Sequence, residues 1–128
     1  MFGKEEFMST QPLFLAVFTG SKTSPRLAEW NALSTEEQQA RAQKGMAAWH
    51  AWTETHHASI AEMGGPLGKT KQISNRGIED IGNELTGFTI IRAESHEAAA
   101  KLFENHPHFA IFPGDRVDVM PVMPVPGM

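Results

Sequence analysis

Ser34-Thr35-Glu36-Glu37 opens, and Met46-Ala47-Ala48-Trp49-His50-Ala51-Trp52 closes, the longest unbroken helical signal in the chain. Ser34 with Glu37 three residues later forms a capping box, in which each side chain satisfies a backbone N–H at the helix start. Beyond it Ala42, Met46, Trp49, Thr53 and His56 recur at helical spacing, with Trp52 beside them. A helix is therefore expected over 35–56, with that stripe turned to a sheet. Gly45 costs about 1 kcal/mol relative to Ala inside a helix, so it points to close packing there.

Working outward, the sheet begins upstream at Leu13-Phe14-Leu15-Ala16-Val17-Phe18, closed by Thr19-Gly20. Both alternating sets of this run are apolar, the mark of a strand covered above and below. Ser21 to Asn31 reads as a loop around Pro25 holding at most one helical turn, with Trp30 tucked against the core. Downstream, 58–63 fits either a prolonged helix or a strand ended by Gly64-Gly65-Pro66; strand is favoured, because the preceding helix is already long. Residues 69–74 and 77–81 form the arms of a polar hairpin around Asn75-Arg76-Gly77, short and charged enough for a sheet edge. A further strand is expected at 88–93. Ser95 then caps a helix over 97–104 that ends at His106-Pro107, and the last strand is 116–120.

The order β-α-β-β-α-β is the split pattern of ferredoxin-like folds, an α+β class with an antiparallel sheet and its helices on one face. Two helices cover one face only, whereas the first strand is apolar on both. The bare face is thus expected to meet a second copy, giving a homodimer packed sheet to sheet.

The 128 residues suit one domain, and 41% apolar with 20% charged residues is an ordinary globular balance. Eleven basic against fifteen acidic residues leave a net charge of −4 with no basic stripe, which argues against a nucleic-acid partner. The absence of cysteine excludes disulfides, thiol catalysis and thiolate metal sites. No apolar run reaches the roughly 20 residues of a membrane helix. Residues 1–11 lack the apolar core of a signal peptide and read as a terminal tail, so the expected location is cytoplasmic and no membrane partner is expected.

Several stretches in order resemble YCII-related (DGPF-type) proteins: Pro66-Leu67-Gly68-Lys69-Thr70-Lys71, Ser74 and Gly77, Thr86-Gly87-Phe88-Thr89-Ile90-Ile91, and Ala93-Glu94-Ser95. Glu104-Asn105-His106-Pro107 and Val117-Asp118-Val119-Met120-Pro121 complete the series. The likeness covers roughly residues 13–123 and is sharpest from Pro66 onward. It implies a dimeric α/β barrel, a YCII-like domain over 12–124 flanked by tails at 1–11 and 125–128. Some members of that group look like enzymes with a His on the first helix and an acidic residue just before the Pro that follows the second helix. A dehydrochlorinase acting on a chlorinated hydroxyquinol belongs to the group. His50 matches the first position by placement; the acidic position is His106 here, a departure from the pattern.

Among candidate chemistry, His50 lies about 100° around the helix from Trp49, at the flank of the apolar stripe. An imidazole at the rim of a pocket titrates near neutrality, as acid–base catalysis requires; the plain alternative is a surface His resting on Trp49 or Trp52. His106 and His108 flank Pro107, and in extended backbone their side chains share a side. Either they join His50 in a polar cluster or they are loop residues beside a helix stop. Trp52 is the expected pocket wall and Trp49 the expected core residue. Leu67, Lys69 and His108 complete the expected substrate contacts, with Lys69 bringing positive charge to the mouth.

No metal site is expected. His50, Glu54 and His57 share one helix face, but an exposed face is a poor cage. Gly68-Lys69-Thr70 resembles the end of a P-loop, yet the first glycine of that motif would fall on Met63. No cofactor is expected. The leading expectation is a small-molecule-binding protein, either carrying out proton transfer or elimination on a small substrate, aromatic ones included, through His50 and His106, or serving as a non-catalytic dimeric binding module. Convergence of His50 and His106 in one concave site would separate the two.

Overall fold

The computed structural model describes residues 10–128. Most of the expected N-terminal tail lies outside them. The elements are β1 (Leu13–Thr19), α1 (Pro25–Asn31), α2 (Thr35–Thr55), β2 (Ile60–Pro66), β3 (Thr70–Ser74), β4 (Gly77–Ile81), β5 (Leu85–Arg92), α3 (His96–Lys101), α4 (Pro107–Ala110) and β6 (Arg116–Pro121). Strands β2-β5-β1-β6 form one four-stranded sheet in that order, with every neighbouring pair antiparallel. This is a mixed α+β arrangement consistent with a ferredoxin-like fold.

Alternation along the central strands sets the core. Phe14, Ala16 and Phe18 of β1 are buried with Ile91 of β5 and Ala93 just past its end, against Trp52 of α2, Ala99 of α3 and Phe103. Both long-range helices therefore pack on one face of the sheet. Leu13, Leu15 and Val17 point the other way and are only half-buried, paired in register with Arg92, Ile90 and Phe88.

Local chemistry explains the helix starts. The Ser34–Glu37 capping box is complete, with Glu37 N–H donating to Ser34 Oγ (3.1 Å) and Ser34 N–H to Glu37 Oε1 (3.0 Å). Those bonds to the ionised form hold the Glu37 carboxyl below its usual range. Ser24 caps α1 with Pro25 in its first turn, so the region expected as a loop is a seven-residue helix.

Four expectations need correction. The stripe of α2 that faces inward is Ala42, Gly45, Trp49, Trp52 and His56; Met46 is 51% exposed. The reason is Gly45: a Cβ there would stand 2.5 Å from the ring of Phe112, so the missing side chain lets that ring onto the helix. Trp30 packs on Phe112 rather than in the central core. The β3–β4 hairpin does not edge the main sheet; its strands pair with each other alone, as a separate ribbon. Beyond α3, His106-Pro107 starts a further one-turn helix where a stop was expected, because Pro is favoured in a first helical turn.

The ambiguous stretch after α2 makes one 3-10 turn (His57–Ser59) and then runs as β2. Its pairing with β5 shifts register twice, between Ile60 and Glu62 and between Glu62 and Gly65. Gly64 sits there at φ +68°, and a Cβ would collide with Phe88 O, so only glycine fits the bulge. Beside the bulge a space lies between this sheet edge and α2. Among the described residues, no helix is long and apolar enough to cross a membrane.

Candidate functional site

That space is a cleft of about 520 Å³. One wall is α2, through Met46, Trp49, His50 and Thr53; the other is the bulged β2 from Met63 to Pro66 with Thr86 to Thr89 of β5. Phe18 and His108, both buried, also line it. The lining holds two histidines, His50 and His108, and no Asp, Glu, Lys or Arg, so the cleft offers no carboxylate, ammonium or guanidinium to a ligand. Two lining hydroxyls are already committed as donors, Thr86 Oγ1 to Phe18 O (3.0 Å) and Thr89 Oγ1 to Met63 O (3.0 Å).

His108 is the most constrained group of the cleft. It rides on α4, whose first turn is capped by a histidine: His106 Nδ1 accepts the His108 backbone N–H at 3.0 Å. The following loop is clamped by Arg26, which donates through Nε to Gly114 O (2.9 Å) and through Nη2 to Phe109 O. Gly114 is buried against the imidazole, where a Cβ would collide with His108 Cε1 and Nε2. His108 Nε2 lies 2.8 Å from Thr19 O. A carbonyl only accepts, so Nε2 carries the hydrogen and Nδ1 keeps its lone pair. Nδ1 makes no hydrogen bond among the described residues and is not fully buried. Burial pushes the His108 pKa down, against smaller opposing effects of the Thr19 carbonyl and Asp115, which favours the neutral, proton-accepting ring.

His106 does the opposite job. It is fully buried, enclosed by Trp49 (ring centroids 4.5 Å apart, planes near perpendicular), Trp52 (4.8 Å), Phe18 (5.2 Å) and Phe103 (5.8 Å). Its Nε2 has no hydrogen-bond partner among the described residues. Burial, with smaller repulsion from His108 and His56, lowers its pKa to about 4. An aromatic cage with no counter-charge holds it neutral.

The expected site residues therefore separate. His50 is exposed at the cleft rim and has no side-chain partner among the described residues, whereas His106 is sealed in the core behind Trp49 and Phe18; the two do not share a concave site. His106 and His108 do not point together, because the backbone after His106 is helical rather than extended, which turns one ring into the core and the other to the cleft. The tryptophans exchange roles: Trp49 is the cleft wall, while Trp52 is buried and donates Nε1–H to Leu102 O at 2.7 Å. Leu67 and Lys69 are exposed just outside the cleft, Leu67 N–H donating to Thr86 O at its edge.

Thr53, Thr89 and Phe88 line the cleft and were not expected as site residues; the meeting of the β2–β5 edge with α2 is a tertiary feature. The Pro after His106 was the one available signal for α4, and so for His108. Among the described residues, no three His, Cys, Asp or Glu side chains cluster as a metal site.

No protein-family model matches the chain, and no curated relative matches it. Among solved structures it is similar to 5-chloro-2-hydroxyhydroquinone dehydrochlorinase from Burkholderia phenoliruptrix AC1100, in complex with 2,5-dihydroxybenzoquinone. The two are 22% identical over 84% of this chain and 89% of that one, with a TM-score of 0.47.

Proposed function

We propose that the chain binds a small, uncharged molecule in the cleft between α2 and the β2–β5 edge, and moves a proton on it without a cofactor, His108 being the proton acceptor. The observation that carries this is the fixed tautomer of His108: Nε2–H is tied to Thr19 O, so the lone pair on Nδ1 is the ring's free function. Apolar walls of Trp49, Phe18, Met46 and Met63 suit a flat or aliphatic ligand, and the missing charges disfavour carboxylates and phosphates.

In the reaction, Nδ1 takes a proton from an activated C–H or O–H, and the imidazolium formed is stabilised through Nε2–H by the Thr19 carbonyl and by Asp115. Return of that proton to another atom of the ligand is an isomerisation. Departure of a leaving group with the electron pair is an elimination. His50, at the rim, is placed to exchange the proton with solvent. His106 acts through His108, as the cap that sets its turn.

The experiment uses acetophenone, a neutral carbon acid. Its addition is expected to shift the His108 ring resonances in nitrogen-15 NMR, and the protein is expected to speed deuterium exchange at its methyl group, with the acceleration lost in His108→Gln. Equal exchange by parent and variant would refute His108 as the base. A second reading, a ligand carrier without chemistry, is favoured by the separation of His50 from His106; it predicts the resonance shifts with no exchange. In either reading the half-buried face of Leu13, Leu15, Val17 and Ile90 is covered by a second copy of the chain, sheet to sheet.

A further inference from the structure

The β3–β4 hairpin has no part in the cleft as described, yet it springs from the cleft's own rim. Pro66 and Thr86, the residues on either side of its root, both line the cleft, and Leu67 N–H to Thr86 O (2.9 Å) closes that root. Above it the two strands pair only with each other, and residues 71–80 are exposed throughout. A lone two-stranded ribbon is marginal in water, so an uncovered one is expected to have a resting place.

Its surface shows what that place is. Ile73 and Ile78 face each other across the ribbon on the same side, 73% and 70% exposed. The cleft mouth has a matching need, since Met46 and Met63 stand 51% and 40% exposed around it. Gly68 and Gly82 flank the ribbon, one on each side, each in open space where a Cβ would meet nothing within 4 Å, and glycine is the residue with the widest backbone freedom for a hinge.

The reach is adequate. At about 3.4 Å per residue, Ile73, five residues past Gly68, lies up to about 17 Å from that hinge. The cube root of the 520 Å³ volume is on the order of 8 Å.

We propose that the hairpin is a flap that folds over the cleft mouth, bringing Ile73 and Ile78 onto the apolar rim opposite its hinge. The idea rests on the cleft being the ligand site, but closure itself is measured without a ligand. The chain has no cysteine, so Ile78→Cys combined with Met46→Cys reports their encounter directly. Met46 lies on α2, the wall across from the hinge. Under mild oxidation this pair is expected to form an intramolecular disulfide at least tenfold faster than Ile78→Cys with Gln39→Cys, which sits two turns away along α2, about 10 Å. Adding Gly68→Ala and Gly82→Ala to the first pair is expected to slow it severalfold.

A disulfide that links two chains would assign the hairpin to a neighbouring copy and overturn the flap. A rate equal to that of the Gln39→Cys pair, or one indifferent to the two alanines, would overturn it as well. The cross-link is independent of acetophenone binding, so flap and ligand site can fail separately.

Discussion

Replacing His106 by Asn should flatten the acid side of the stability profile by about 3 kcal/mol. Asn keeps an oxygen that can accept the His108 N–H, and is itself a favoured N-cap, but it cannot titrate. In the native protein the His106 pKa is about 4, against an ordinary 6.5, a difference of about 2.5. At 1.36 kcal/mol per pKa unit this is about 3 kcal/mol of linkage. The sign follows from proton counting: between pH 6.5 and 4 the unfolded chain holds a proton on this residue and the native one does not. Stability contributed by keeping the ring neutral is whole above pH 6.5, is lost as pH falls to about 4, and is level below.

The assay is urea unfolding at pH 7, 5.5 and 4, followed by tryptophan fluorescence, for the parent and His106→Asn. His108 and His56 are also shifted downward by burial and lose stability in the same direction in both proteins, so the difference between the two pH profiles reports His106 together with its smaller repulsion of those two rings. Asn is smaller than imidazole, and the variant should start less stable at pH 7; the comparison concerns slopes. Parent and variant profiles that run parallel from pH 7 to 4 would refute the account of a neutral, caged His106.

Gly114→Ala is expected to cost about 2–4 kcal/mol, from overpacking against a ring and the loss of the hydrogen bond to Thr19 O. Thermal melting reads the loss, and the NMR signal of the His108 ring proton on Nε2 should vanish with it; an unchanged melting temperature would contradict the close contact seen at Gly114. For the sheet-to-sheet homodimer, sedimentation should give twice the chain mass for the parent, and Val17→Glu, on the half-buried face, should sediment as a single chain. A parent that sediments as one chain would remove the dimer.

What was legible in the sequence was whatever depends on neighbours along the chain. Ser34 and Glu37 fix the start of α2 between themselves, and the alternation of Phe14, Ala16 and Phe18 marks β1 wherever it sits. The rotation of α2 was not legible. Counting apolar side chains favoured Met46 over Gly45, because glycine has nothing to count, although its emptiness is what Phe112 fills. That small error in rotation interchanged Trp49 and Trp52. His106 and His108 failed for a related reason: two residues apart, they agree in direction on a strand and disagree on a helix, and Pro107 allows either.

Thr19 O accepts two hydrogens, one from His108 Nε2 at 2.8 Å and one from the Asp115 backbone at 2.9 Å, just ahead of the β1–β6 pairing. The ring proton is thereby enrolled in the backbone ladder that joins the first strand to the last. Its replacement by solvent deuterium must wait for that end of the ladder to part, so its exchange rate becomes a clock for local opening at the sheet margin. A single side-chain resonance would then time the breathing of an edge strand in the intact, unlabelled protein.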